Sequence, residues 1–95
     1  MNNHWIYVIG DTESPYKIGF TKDPEKRLST LQTGNPKKLT IHYKEQINEN
    51  EVKFIEKQIH KELKRKQIYG EWFDISLDDA IAEIKYAVIR YTKVD

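Results

Sequence analysis

The chain has 95 residues, 16 Lys+Arg against 15 Asp+Glu, and no cysteine, which fits one domain over 1–95 and excludes disulfides, thiolate zinc sites and a Cys nucleophile. No apolar run approaches the ~18–20 residues of a membrane span, and Met1-Asn2-Asn3-His4 enters Trp5 with no leader-like segment, so the expected compartment is cytoplasmic. The near-neutral total hides a basic middle: residues 17–66 hold 13 basic and 7 acidic groups, which suits an anionic partner, although a solvated lysine-rich helix gives the same count.

Trp5 to Ile9 is a continuous apolar and aromatic run closed by Gly10, the pattern of a buried strand. Turn residues fill Asp11 to Pro15. Tyr16, Ile18 and Phe20 then alternate with Lys17 and Gly19, so the two runs predict an antiparallel hairpin. Asp23-Pro24 predicts a helix start, Leu28 and Leu31 its apolar stripe, and Gly34-Asn35-Pro36 its end. A third strand is expected from Leu39 to Tyr43. Asn48 with Glu51 predicts a capping-box start to a longer helix striped by Val52, Ile55, Ile59 and Leu63. After Gly70, Trp72 to Ile75 reads as a short extended segment. Ser76 with Asp79 opens a last helix over 76–92, striped by Leu77, Ile81, Ile84, Val88 and Tyr91. The expected fold is α+β: a small antiparallel three-stranded sheet, with a short fourth strand as an option, flanked by three helices.

Several polar residues interrupt this pattern. At ~100° per residue, Glu56 projects at the edge of its helix's core stripe, His60 stands one turn on, and Arg27 lies beside Leu31. Burying a charge is unfavourable unless it is paired or holds a ligand. An Arg27–Glu56 ion pair and a ligand-gripping site account equally well for Arg27 and Glu56, and a lone His60 is more often a hydrogen-bonded, partly buried residue. Lys17 shares its strand face with Gly19, whose missing side chain leaves room for another molecule; a solvent-facing lysine is the commoner case. Tyr7 reads as core on composition.

The ordered stretches Ile6-Tyr7-Val8-Ile9, Tyr16-Lys17-Ile18-Gly19-Phe20-Thr21, Asp23-Pro24-Glu25-Lys26-Arg27-Leu28 and Leu31-Gln32-Thr33-Gly34-Asn35-Pro36 are followed by Ile55-Glu56, His60 and Gly70-Glu71-Trp72-Phe73. Together, over roughly residues 5–75, they resemble the GIY-YIG endonuclease superfamily, and within it a small phage-type branch described as DNA-binding. The resemblance implies a nuclease domain with Tyr7, Lys17, Arg27 and Glu56 at its active site and Glu56 as metal ligand. Trp5 stands where the eponymous glycine would be, and Lys17 replaces the tyrosine that opens the second triplet, as some restriction-enzyme-like members also look to do. The family's late asparagine has no counterpart, since no Asn follows Asn50; Glu71 or the Trp72 region is the expected substitute.

Phosphodiester hydrolysis needs a deprotonated water, neutralised charge and a stabilised leaving oxygen. Tyr7 would be the general base if its pKa fell from about 10, with Lys17 the cation that lowers it. Arg27 offers a planar fork to two phosphate oxygens. Glu56 is a hard ligand for Mg2+, with Mn2+ as a substitute, and His60 would bond a phosphate or the leaving group. The expected function is therefore a metal-dependent DNA endonuclease or nickase, the alternative being a weak or inactive DNA-binding module on the same scaffold. A protein-interaction domain anchored on Trp72 and Phe73 is a third reading, set against a core role for both rings. Lys37, Lys38, Lys57, Lys61, Lys64, Arg65 and Lys66 are candidate phosphate contacts. No base-reading element is visible, so sequence preference is expected to be weak, or to come from a homodimer or a partner.

Overall fold

The N-terminal apolar run forms strand β1 (Asn3–Gly10), which returns as β2 (Tyr16–Thr21) in a computed structural model that describes residues 3–92. The ends of the expected domain, Met1 and Asn2 and positions 93–95, lie outside the described residues. The two strands are antiparallel, with Tyr7 opposite Gly19 and Ile9 opposite Lys17. Asp23 caps α1 (Pro24–Gln32) by accepting from Lys26 N–H at 3.1 Å, as its short side chain predicted. β3 (Thr40–Asn48) runs past Tyr43, where the apolar pattern fades, because its backbone stays paired with β1 as far as Asn3. Asn48 ends it and caps α2 (Glu49–Glu62), its Oδ1 accepting from Asn50 N–H at 2.8 Å.

The sheet corrects the expected three or four strands: it has five, in the order β3-β1-β2-β5-β4. The additional pieces are β4 (Gln67–Tyr69) and β5 (Trp72–Phe73), a hairpin turning at Gly70 with φ +51, a backbone that favours glycine. All three residues of β4 are exposed and follow a 3-10 turn at Lys64–Lys66, so no apolar alternation marks the strand. Backbone pairing to β5, which itself pairs with β2 at Tyr16 and Lys17, creates it. The three helices are as expected. The last, α3 (Leu77–Tyr91), is capped by Ser76 Oγ accepting from Asp79 N–H at 3.1 Å. Among the described residues, no helix is long and apolar enough to cross a membrane.

Both sheet faces are covered. Ile6, Val8, Tyr16 and Ile18 pack with the predicted α2 stripe of Val52, Ile55, Ile59 and Leu63, and with Ala80, Ile84 and Ala87 of α3. On the opposite face Tyr7 and Ile9 join Leu39, Leu28 and Leu31, so α1 covers the side on which Lys17 and Gly19 lie. The register of β1 against β3 slips between Val8 and Ile9, leaving His42 over. Its Nε2 lies 2.7 Å from Asp11 O and 3.2 Å from Gly10 O, tying β3 to the hairpin turn.

Candidate metal centre and active site

β5 covers β2 only at Tyr16 and Lys17. Beyond that point the backbone groups along this edge of β2 need other partners. Ile18 N–H donates to Glu71 O at 3.0 Å. Two side chains of α2 supply the next bonds: His60 Nε2 donates to Ile18 O at 2.8 Å, and the Phe20 N–H donates to the Glu56 carboxylate. This explains two half-buried polar residues one turn apart on the edge of an apolar stripe. The Arg27–Glu56 ion pair considered from the sequence does not form. At this place Lys17 Nζ instead meets Glu71 Oε1 at 3.0 Å.

Glu56, His60 and Glu71 each present a ligand atom, and the three atoms lie within 4.8 Å of one another. Glu71 reaches them from the β4–β5 turn. Gly19 makes the space: a Cβ there would stand 2.6 Å from Tyr7 Oη and 2.7 Å from Glu71 Oε1. Phenol and carboxylate therefore close over bare backbone, and Tyr7, Lys17, Glu56, His60 and Glu71 converge on one strand edge. Arg27 is exposed on α1 and lines an open groove of about 640 Å3 with His4, Phe20, Lys22 and Lys26; it still acts electrostatically on Tyr7. Lys57 and Lys61 are exposed on α2, each one residue past a cluster member, and Lys64, Arg65 and Lys66 form the exposed 3-10 turn. Lys37 and Lys38 are exposed in the loop after α1.

Burial pushes the Glu56 carboxyl up to about 7, reinforced by the charge of Glu71 and a hydrogen bond to it; Lys17 and the Phe20 N–H pull the other way. The Glu56 carboxyl therefore keeps its proton up to about pH 7. The lowering of Tyr7 expected from Lys17 is not found. Burial first, then Glu71 and Glu56, hold the phenol well above its usual range, with Arg27 the opposing cation. The Lys17 ammonium is spent on Glu71. Two carboxylates and an imidazole whose second nitrogen bonds a backbone carbonyl form a donor set that fits a divalent cation. Glu71 was visible from sequence only as a substitute for the missing asparagine; its place beside Glu56 and His60 depends on the unforeseen hairpin.

A carboxylate pair, an imidazole, a buried phenol and a lysine around an unfinished strand edge define a candidate metal-binding site. The chain belongs to the T5orf172 domain family, whose model matches residues 4–88, and this family is associated with the GIY-YIG nuclease superfamily. Comparison with curated proteins and with solved structures returns no match.

Proposed function

We propose that the protein is a divalent-metal-dependent DNA endonuclease or nickase of the small phage-type branch, acting through one domain in the cytoplasm. The observation that carries this reading is the meeting of the Glu56, His60 and Glu71 ligand atoms within 4.8 Å, beside Tyr7 and Lys17. A bound cation supplies positive charge to the phosphate and the leaving oxygen. Two carboxylates suit Mg2+, and the imidazole tilts the preference toward Mn2+. His60 spends Nε2 on Ile18 O, which fixes the ring and leaves Nδ1 as the acceptor.

Lys17, freed from Glu71, offers its ammonium to a phosphate oxygen, and the Arg27 fork approaches from α1. Glu71 takes the place of the absent asparagine. Tyr7 is the general base, over Gly19 and next to Glu71. Because burial and both carboxylates hold it protonated, it must first lose its phenolic proton to solvent, which positive charge offsetting Glu56 and Glu71 would favour, and the phenolate would then accept the proton of the attacking water. That same protonated phenol favours the second reading, a DNA-binding module with little turnover. Exposed lysines of α2 and the 64–66 turn hold the DNA backbone, and a homodimer or a partner supplies base preference.

Incubating supercoiled plasmid with Mg2+ or Mn2+ tests this reading. The wild-type protein should give nicked circles, and Glu56→Ala should bind DNA without nicking it. Unchanged nicking by Glu56→Ala refutes the metal site. Salt-dependent binding with no nicking at high enzyme leaves the binding module, since log K falls with log salt as counterions are released.

A further inference from the structure

The hairpin that delivers Glu71 carries two rings that metal binding does not use. Tyr69, on the outermost strand, is 64% exposed and stacks on Trp72 with ring centroids 6.4 Å apart and planes 28° from parallel. Lys17 Nζ lies 5.8 Å from the Trp72 ring centroid. The same Lys17 Nζ is 3.0 Å from Glu71 Oε1, so a molecule resting on Trp72 lies beside the candidate metal ligands. They also help line a cavity of about 110 Å3, with Asp11, Glu13, Asn35 and Lys37 among its other walls.

The chemistry of these walls separates a base from its backbone. Aromatic faces receive any flat heterocycle. Asp11 and Glu13 accept hydrogen bonds from exocyclic amines but repel phosphate, which is drawn instead toward Lys37 at the cavity wall, Lys17 and the basic turn at 64–66. We propose that Tyr69 and Trp72 form a stacking platform for one unpaired DNA base beside the scissile phosphate, so that bulged or single-stranded DNA is preferred to continuous duplex. A base within a duplex must first be unstacked and unpaired, whereas an unpaired base arrives without that requirement. This rests on the DNA-cleaving reading of the neighbouring cluster and adds the class of DNA it takes.

The test is fluorescence anisotropy in EDTA, which prevents cleavage. Three labelled duplexes are compared: perfectly paired, with one bulged nucleotide, and with the same bulge lacking its base. The two bulged forms carry equal phosphate charge, so their difference isolates the base. Wild-type protein should bind the bulged base about tenfold more tightly than the abasic bulge. Tyr69→Ala should erase that difference and Tyr69→Phe should keep it; the exposure of Tyr69 lets the variants fold, checked by circular dichroism. Equal affinity for the two bulges, or a preference that survives Tyr69→Ala, overturns the platform while plasmid nicking stands unaffected. No binding to any of the three, together with no nicking, overturns the DNA reading itself. Tighter binding to RNA of the same sequence and bulge overturns the assignment to DNA.

Discussion

Replacing Gly19 by alanine puts a methyl group where strand, phenol and carboxylate meet. Its Cβ would stand 2.6 Å from Tyr7 Oη, 2.9 Å from Tyr7 Cζ and 2.7 Å from Glu71 Oε1, all inside the ~3.5 Å of an ordinary contact. Tyr7 has nowhere to go: it is 1% exposed and packed with Ile9 and Leu39. Glu71 can yield, because its side chain is 36% exposed. The carboxylate should therefore swing outward, break the ion pair with Lys17 and open the three-ligand cluster. The remaining overlap with the ring costs ~1–3 kcal/mol. Against it stands ~0.4–1 kcal/mol from restricting the unfolded chain. A net loss of ~1–2 kcal/mol lowers the melting temperature by roughly 5–15 °C in a domain of this size. Circular dichroism melting and calorimetric Mn2+ titration measure both effects, and Mn2+ affinity should fall at least about tenfold. A variant with unchanged melting temperature and unchanged Mn2+ affinity refutes the convergence of Tyr7 and Glu71 over Gly19.

The raised Glu56 carboxyl gives a pH dependence of definite sign. Between its ordinary value of 4.5 and about 7 the folded, metal-free protein holds a proton that the unfolded chain has released. Its contribution is therefore complete below pH 4.5 and disappears as the pH climbs to about 7, by ~1–2 kcal/mol once screening at the half-exposed side chain is counted. Urea denaturation in EDTA at pH 5 and pH 8 reads this, and Mn2+ affinity should climb with pH over the same interval as the proton is displaced. Arg27→Ala should leave Mn2+ affinity unchanged and slow nicking roughly a hundredfold, because Arg27 lies outside the three-ligand cluster and is proposed to meet the phosphate. Single-turnover plasmid nicking at saturating Mn2+ separates the two, and equal losses in metal binding and rate refute that role.

Local signals carried much of the fold. Asp23, Asn48 and Ser76 each cap the helix that their position announced, because capping depends on one side chain and the next few amides. The stripe of α2 was legible for the same reason, as periodicity needs no partner to be seen. β5 showed only as a short extended segment at Trp72 to Ile75 and β4 not at all, since its three exposed residues become a strand only by pairing with β5, which in turn pairs with β2. On α3, the buried centre falls on Ala80, Ile84 and Ala87, with Leu77, Val88 and Tyr91 at its margins; small residues pass unnoticed in an apolar stripe. The site failed where distances between elements decided it. Helical projection placed Arg27 and Glu56 near apolar neighbours but could not show that α1 and α2 cover opposite faces of the sheet. For Tyr7, the register sets Gly19 opposite and Lys17 two residues along. The charges that dominate it, Glu71 and Glu56, come from distant parts of the chain.

The position of the cluster follows from an incomplete sheet. Had β5 begun before Trp72, the β2 backbone beyond Lys17 would have found a strand, and α2 would have no reason to keep an imidazole and a carboxylate on its inner edge. Because β5 begins only there, Ile18 O and Phe20 N–H hold His60 and Glu56 in place before any ligand arrives, which is the preorganisation a binding site requires. The same geometry crowds two carboxyls together, and the fold balances them with the proton that Glu56 keeps up to about pH 7 and with the Lys17 ammonium. Neither balancing charge is built into the backbone. A proton dissociates and a lysine side chain rotates without disturbing the strands, so a cation can replace both at little conformational cost. The edge thus fixes its ligands firmly and its counter-charges loosely.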